Sequence, residues 1–176
     1  TTDYFMIDPG FGTKEDLKEL VDKAHSLGMY VMLDGVFNHT GLDFFAFRDL
    51  KEKGEQSKYK DWYYPKSFPL KGKFGEKPNY LCFGYFGGMP KLNTANKEVR
   101  EYIYDVVTYW MKECGVDGWR LDVAADLGRT QRYNHEFWKK FRQSIVRNPE
   151  LIEQFVLSPE YIRILVLNLL AMLVEG

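Results

Sequence analysis

Arg120 and Asp122 stand two residues apart at the end of a short apolar stretch that begins after Gly115. Side chains alternate between the two faces of a β-strand, so both would point to the same side as Val116 and Gly118. Burying either charge alone is costly, and we expect the guanidinium to pair with the carboxylate and hold it ionised. An ionised carboxylate in a partly buried site suits a covalent nucleophile. The alternative from spacing alone is a structural ion pair at a strand end.

Composition describes an ordinary globular chain. The 176 residues are 45% hydrophobic and 28% charged, with a net charge of -1, which gives no electrostatic attraction to nucleic acid or anionic membranes. The length suffices for one domain with a real core. Cys82 and Cys114 have neither metal nor redox spacing, and residues 1–12 lack the basic and apolar regions of a signal peptide. Aromatic residues reach 16%, which suits either an aromatic core or the binding of flat ligands such as sugars.

The first regular unit predicted is a helix followed by a strand. Thr13 can cap the helix, with Asp16 completing a capping box, and Gly28 ends it. Residues 29–36 are almost continuously apolar, which indicates a parallel strand covered on both faces. This strand ends in the polar residues of the segment 37–40, Phe-Asn-His-Thr.

The same order of elements returns later in the chain. Asn96 can cap a helix that Gly115 ends, and a strand over 116–122 follows. Both strands close on Leu-Asp, at Asp34 and at Asp122. Two such units predict a parallel α/β architecture whose functional residues gather at the carboxyl ends of the strands. A third helix is predicted at about 134–147, with Asn134 as its cap.

A long stretch, residues 41–95, separates the two units and is rich in charge, proline, glycine and aromatic residues. Compact domains rarely keep loops of this length without a purpose, so we predict a small irregular subdomain inserted after a strand. Some of its aromatic residues could stack on sugar rings, and roughly two-thirds should hold the insertion together. The aromatic residues in question are Tyr59, Trp62, Tyr63, Tyr64, Phe68, Tyr80, Phe83, Tyr85 and Phe86.

Three segments resemble signature motifs of the α-amylase family of glycoside hydrolases. Residues 34–39, Asp-Gly-Val-Phe-Asn-His, resemble the first motif, and residues 118–124, Gly-Trp-Arg-Leu-Asp-Val-Ala, resemble the second. Residues 89–93, Met-Pro-Lys-Leu-Asn, resemble a further motif late in the inserted domain. With the opening residues 3–9, this last motif is most similar to the neopullulanase, cyclomaltodextrinase and maltogenic amylase branch. The resemblance covers about residues 1–147.

The resemblance implies a partial (β/α)8 TIM barrel with a small irregular subdomain inserted after the third strand. Residues 1–40 would run from the end of strand 2 to strand 3, and residues 41–95 would form the insertion. Residues 96–148 would supply helix 3, strand 4 and helix 4. Residues 149–176 form an atypical apolar tail, which is too short and too interrupted for a confident membrane span.

The family cleaves α-glucosidic bonds with retention, through a covalent glycosyl-enzyme. By resemblance, Asp122 is the nucleophile and Arg120 keeps it ionised and oriented. His39 is expected to hydrogen-bond a sugar hydroxyl, and Asp34 to support the site from behind, so His39, Arg120 and Asp34 are the predicted substrate-binding residues. Asn38 would hold its loop or, in some members, join a calcium site.

The implied partner is an α-glucan oligosaccharide, such as maltodextrin, cyclomaltodextrin, pullulan or starch. Nucleic acid and membrane partners are not expected, and the oligomeric state stays open. No cofactor and no metal site are predicted, with calcium as the alternative at Asn38.

One expected group has no counterpart in the sequence. Retaining hydrolysis needs a second carboxyl group that acts as acid and then as base. In the family this is a glutamate in a Gly-Glu-hydrophobic-Trp setting, and Glu150, Glu153, Glu160 and Glu175 all lack those surroundings. The histidine-aspartate pair of the seventh strand has no match either. We therefore expect this chain alone to be inactive.

Two other functions are compatible with the fold. A non-catalytic amylase-like protein could bind sugar or a partner. The presence of Arg120, Asp122 and His39 argues against a site that has lost its catalytic activity. A different barrel enzyme is the other alternative, and the insertion after an Asn-His motif argues against it.

Overall fold

The computed structural model describes residues 1–72, 77–84, 87–128, 131–146 and 163–167. Helices and strands alternate along this part of the chain. The helices are α1 (Lys14–Ser26), α2 (Phe45–Lys53), α3 (Lys97–Cys114) and α4 (Gln131–Val146), and the strands are β1 (Met29–Gly35), β2 (Gly118–Leu121) and β3 (Arg163–Leu167). Two short 3-10 turns, Gly54–Gln56 and Lys60–Trp62, follow α2.

Helix α1 begins and ends as its sequence predicts. The Thr13 hydroxyl accepts from the backbone N–H of Asp16, and the Asp16 carboxylate accepts from the N–H of Thr13, which completes the predicted capping box. Leu17, Val21 and Ala24 form its buried stripe. His25, in the last turn of α1, has Nε2 2.8 Å from the carboxylate of Asp117.

The sheet is parallel and has the order β2-β1-β3. The predicted parallel pairing of the two main strands is confirmed, and its register sets Asp34 beside Arg120. Backbone bonds from Asp117 N to Val31 O, 2.8 Å, and from Asp122 N to Gly35 O, 3.2 Å, extend the pairing one residue beyond each end of β2. Parallel strands end at the same edge, so the two Leu-Asp ends meet there.

Helix α3 is confirmed with both of its predicted ends. The Asn96 side chain accepts from Glu98 N at 2.8 Å, and Gly115 adopts a left-handed conformation with φ of 71° at the C-terminus. Helix α4 was predicted with the wrong start, because it begins at Gln131 rather than after Asn134. The Asn134 side chain lies inside the first turn, where Oδ1 accepts from Gly128 N at 3.2 Å.

Residues 41–95 contain a helix that the prediction of an irregular segment missed. In α2, the residues Ala46, Phe47 and Leu50 recur at helical spacing and are buried. The Asn38–Thr40 segment pairs antiparallel with the Met-Pro-Lys-Leu-Asn segment, through Thr40 N to Pro90 O and Leu92 N to Asn38 O. The late motif is therefore held against the first one. The boundaries of an inserted subdomain remain a prediction.

One hydrophobic core extends through the described residues, and it includes side chains from α1, α2, α3 and both main strands. Trp110 of α3 is almost fully buried, and its indole N–H donates to the carbonyl of Tyr4 at 2.8 Å. Of the aromatic residues singled out above, Trp62, Tyr63 and Tyr80 are buried core members, as expected of a structural role. Tyr85 and Phe86 lie outside the described residues.

The apolar tail contributes one described element. Strand β3 pairs in parallel with β1, with Met29 opposite Arg163 and Leu33 opposite Leu167. The remaining residues of the range 149–176 lie outside the described part of the chain, as do all four glutamates considered above. In the described residues, no helix combines the length and the apolar character needed to cross a membrane.

Candidate active site

Arg120 joins the carboxylates of Asp34 and Asp122 at the carboxyl edge of the sheet. Its Nη1 donates to Oδ1 and Oδ2 of Asp34, at 3.0 and 3.2 Å, and to Oδ1 of Asp122 at 2.8 Å. The predicted pairing of Arg120 with Asp122 is present, and Asp34 is a second partner of the same nitrogen. The three residues predicted at the two strand ends therefore form one cluster.

Burial differs across this cluster. The Asp34 side chain is 7% exposed, that of Asp122 is 26% exposed, and that of Arg120 is 49% exposed. The sequence suggested that Arg120 and Asp122 form a buried pair. In the structure the guanidinium is open to solvent, and the buried member of the cluster is Asp34. The hydrogen bonds that Arg120 donates to Asp34, the largest cause, and to Asp122 raise the pKa of Arg120, so the arginine stays charged.

His39 lies in the buried segment that follows β1. Its ring stacks on Phe83, with centroids 5.0 Å apart and planes 5° from parallel. Burial lowers the pKa of His39 to about 4, and the amino group of Thr1 and the ammonium of Lys91 act in the same direction. The negative charge of Asp122 opposes this shift, which places Asp122 within electrostatic reach of the ring. His39 is therefore a neutral imidazole at pH 7.

Lys91 is a buried lysine beside this cluster, and sequence reasoning did not single it out. Its Nζ donates to Oδ1 of Asn38 and to the carbonyl oxygen of Asp126 at 2.7 Å, with that of Leu127 at 3.5 Å. The ammonium thus connects the loop after β1 to the loop after Asp122. The sequence feature that could have pointed to Lys91 is its position in the Met-Pro-Lys-Leu-Asn motif.

Tyr4 supports the segment that follows β1. Its hydroxyl lies 2.7 Å from the carbonyl of Val36 and 2.9 Å from that of His39. The side chain is 2% exposed, and burial raises its pKa well above the ordinary tyrosine value. Tyr4 therefore has a structural place and does not face a ligand.

Val123, directly after Asp122, has a φ of +49°, which β-branched residues rarely adopt. The chain turns sharply there, and Asp126 N then bonds to Val123 O at 3.0 Å. Strained backbone of this kind persists only where surrounding contacts hold it. Two such contacts hold the residues after this turn. Thr94 Oγ1 donates to Leu127 O at 2.7 Å, and Trp138 Nε1 donates to Ala124 O at 2.9 Å.

The donor set around the site suits hydrogen bonding to a ligand with hydroxyl groups. Within residues 1–72, 77–84, 87–128, 131–146 and 163–167, no group of three or more His, Cys, Asp or Glu side chains is placed to hold a metal ion. The amide oxygen of Asn38, the residue named above for a calcium site, accepts from Lys91 Nζ.

The match to a family model decides the identification. Residues 1–160 match the model described as alpha amylase, catalytic domain. The chain belongs to the α-amylase family. An α-amylase-family relative, the cyclomaltodextrinase of Geobacillus thermopakistaniensis, is 50% identical over 145 residues, which cover 82% of this chain and 23% of that protein. The maltogenic alpha-amylase of Bacillus acidopullulyticus is 49% identical over 145 residues, with the same shares of each chain covered.

Solved structures agree with this membership. The cyclic alpha-maltosyl-(1-->6)-maltose hydrolase from Arthrobacter globiformis, in complex with cyclic alpha-maltosyl-(1-->6)-maltose, superposes with a TM-score of 0.75 and 35% identity. The superposition covers 85% of this chain and 32% of that one. The fold is that of part of a TIM barrel, and the chain spans about a quarter of the length of the curated relatives. The names of these relatives are those of the predicted branch, so the predicted family and branch are confirmed.

Proposed function

We propose that the site performs the nucleophilic half of retaining α-glucoside hydrolysis, with Asp122 as the nucleophile. The observation that carries this proposal is the cluster in which one nitrogen of Arg120 binds both Asp34 and Asp122. Asp34 is buried and fixes the guanidinium, which in turn orients the partly exposed carboxylate of Asp122. A carboxylate so positioned can attack an anomeric carbon.

Attack forms a bond between a carboxylate oxygen of Asp122 and the anomeric carbon, while the bond to the leaving glycosidic oxygen breaks. An acid must protonate that oxygen, and water must later hydrolyse the glycosyl ester. The described residues supply the nucleophile, and the acid is expected from a glutamate that the sequence lacks in the family setting. The isolated chain is accordingly proposed to be inactive.

His39 and Arg120 are the proposed substrate contacts. A neutral imidazole carries one N–H, which can donate to a sugar hydroxyl. Burial keeps the ring neutral, and Phe83 covers one of its faces. The proposed substrate is an α-glucan such as cyclomaltodextrin or maltodextrin, in keeping with the ligand of the Arthrobacter structure and the names of the relatives.

The second candidate function is sugar binding without catalysis. The half-exposed guanidinium of Arg120 and the stacked His39–Phe83 pair could hold a sugar without any bond cleavage. This hypothesis does not explain why a buried Asp34 fixes Arg120 beside Asp122, because sugar binding alone does not require an oriented carboxylate.

Hydrolysis can be tested by exchanging the matching segment of the Geobacillus cyclomaltodextrinase for residues 1–146 of this chain. The relative supplies the remaining barrel and the general acid, so we expect the chimera to hydrolyse cyclomaltodextrin. Changing Asp122→Asn in the chimera should lower kcat by at least about 10³-fold, because the nucleophilic step is lost. The matched control is Asp105→Asn, on the surface of α3, which should leave kcat unchanged.

A folded chimera that binds maltodextrin but does not hydrolyse it would favour the binding function. Retained hydrolysis after Asp122→Asn would reject Asp122 as the nucleophile.

A further inference from the structure

The Asn38 amide has its orientation fixed by Lys91. The lysine ammonium carries donors only, so the group that faces it must be the amide oxygen, Oδ1. The NH₂ group of the same amide consequently points the other way. Because oxygen and nitrogen ends of an amide are told apart by their hydrogen-bond partners, this contact determines which end is which.

The NH₂ group of Asn38 lies 3.3 Å from Nδ1 of His39. An NH₂ group can only donate to the ring, so Nδ1 must offer its lone pair. A neutral imidazole with an unprotonated Nδ1 carries its proton on Nε2. Burial already holds the pKa of His39 at about 4, so the neutral ring is the form present at pH 7.

We infer that Lys91 is a positioning residue that sets the tautomer of His39 through the Asn38 amide. This inference rests on the proposed function, in which His39 meets a sugar hydroxyl. The Lys91 ammonium thereby keeps the proton of His39 on Nε2, so that Nε2–H is the donor available to a sugar. Nδ1 of His39 accepts from the Asn38 amide and is not available. Loss of the ammonium would free the amide to turn over and offer its oxygen to Nδ1–H.

The surroundings of Lys91 suit this task. The residue is 9% exposed, and its Nζ also donates to the carbonyl oxygen of Asp126 at 2.7 Å. The ammonium is thereby held on both sides, by the loop after β1 and by the loop after Asp122. Antiparallel pairing of His39 with Lys91 fixes the backbone beneath these contacts. A charge held in this way cannot easily leave the amide oxygen.

The test is nitrogen-15 NMR of the imidazole rings in the whole 176-residue chain at pH 7. The chain has 3 histidines, so assignment by single substitution is direct. His25 is a reference for a protonated Nε2 and for native folding, because its Nε2 lies 2.8 Å from the Asp117 carboxylate. We expect His39 to show the pattern of a neutral ring with a protonated Nε2 and an unprotonated Nδ1.

Two substitutions address the two links of the relay. Lys91→Ala removes the ammonium, and we expect His39 to lose the pure Nε2–H pattern. Adding n-propylammonium, the fragment removed, should restore the pattern, whereas n-propanol at the same concentration should not. Asn38→Asp keeps an oxygen for Lys91 but replaces the NH₂ donor by an acceptor, so His39 should carry its proton on Nδ1. Lys97→Ala removes an exposed lysine of α3 and should change nothing.

An Nδ1–H or doubly protonated His39 in the unmodified chain would overturn the inference. An unchanged pattern after Lys91→Ala in a chain whose His25 signal stays native would do so as well. If Lys91→Ala fails to fold, Asn38→Asp decides the matter, because an unchanged Nε2–H pattern there contradicts the relay. All of these measurements are made without substrate, so they stand apart from any failure to detect hydrolysis.

Discussion

Asp34 and Arg120 face each other across the parallel strands β1 and β2, and one guanidinium nitrogen reaches both carboxylate oxygens of Asp34. The pairing crosses the sheet at its carboxyl edge, where the chain then turns toward Asp122. The buried carboxylate of Asp34 thus fixes the half-exposed guanidinium of Arg120. The guanidinium in turn holds Asp122, the proposed nucleophile. The Asp122 side chain is therefore held in place by contacts to the sheet although solvent can reach it.

Removing the guanidinium should destabilise the chain, because Asp34 would be left buried without its cation. We expect Arg120→Met to lower the free energy of unfolding, though by less than the loss of a fully buried pair would, because Arg120 is half exposed. Urea denaturation measures this change. Lys97→Met, which breaks an exposed ion pair with Glu101, should cost under about 0.5 kcal/mol. Equal effects of the two substitutions would contradict the role given to Asp34.

The local elements of this fold could be predicted from sequence because their signals are local. Thr13 with Asp16 marks the start of α1, and Gly115 marks the end of α3. The start of α4 was wrong because Asn134 is a good capping residue by type, yet its side chain bonds back to Gly128 from inside the helix. Helix α2 was missed because dense aromatic residues around it obscured a short buried stripe.

The cluster of Asp34, Arg120 and Asp122 was predictable because two parallel strands that end in Leu-Asp bring their ends together. The contacts of Lys91 were not, since its partner Asn38 is 53 residues away and pairs through a turn of irregular backbone. Likewise, nothing in the sequence indicates that Phe83 covers His39. The roles of these residues in catalysis and the division into barrel and insertion remain predictions.

His39 should make stability depend on pH. Its pKa is about 4 in the folded chain and near 6.5 when unfolded, so the unfolded chain binds more protons between these values. Stability is therefore full above about pH 6.5 and falls as the pH decreases toward 4. We expect a loss of about 2 kcal/mol between pH 7 and pH 5 that His39→Gln removes.

Denaturation in urea at a series of pH values measures this difference between the unmodified chain and the variant. The exposed His135 provides the control substitution, His135→Gln, which should keep the pH dependence. A pH dependence that is the same in His39→Gln as in the unmodified chain would show that the ring is not held neutral.

Strain at Val123 predicts an unusual preference for glycine. Residues with a Cβ pay roughly 1–2 kcal/mol in left-handed backbone, while glycine does not. Val123→Ala keeps the Cβ and Val123→Gly removes it, so the glycine variant should be the more stable of the two by about 1 kcal/mol. At Val99, inside α3 and buried, the order should reverse, because alanine favours a helix. Thermal unfolding of the four variants gives both comparisons.

The Tyr4 hydroxyl should matter for the backbone that carries His39. Tyr4→Phe leaves the buried carbonyl oxygens of Val36 and His39 without this donor. We expect the free energy of unfolding to fall by about 1–2 kcal/mol and the amide of Thr40 to exchange faster with solvent. Hydrogen exchange measured on the peptide that contains Thr40 tests the second effect. Unchanged exchange there would mean that the hydroxyl does not hold this turn.

The most direct measurement of the central claim is covalent trapping of Asp122. The chimera with the Geobacillus cyclomaltodextrinase would be treated with a 5-fluoro α-glycosyl fluoride, whose fluoride leaves without an acid and whose ring fluorine slows hydrolysis of the glycosyl-enzyme. Peptide mass spectrometry should find one sugar on the peptide that contains Asp122, and none after Asp122→Asn. A sugar attached at another carboxylate, or hydrolysis that continues while no adduct forms, would contradict Asp122 as the nucleophile.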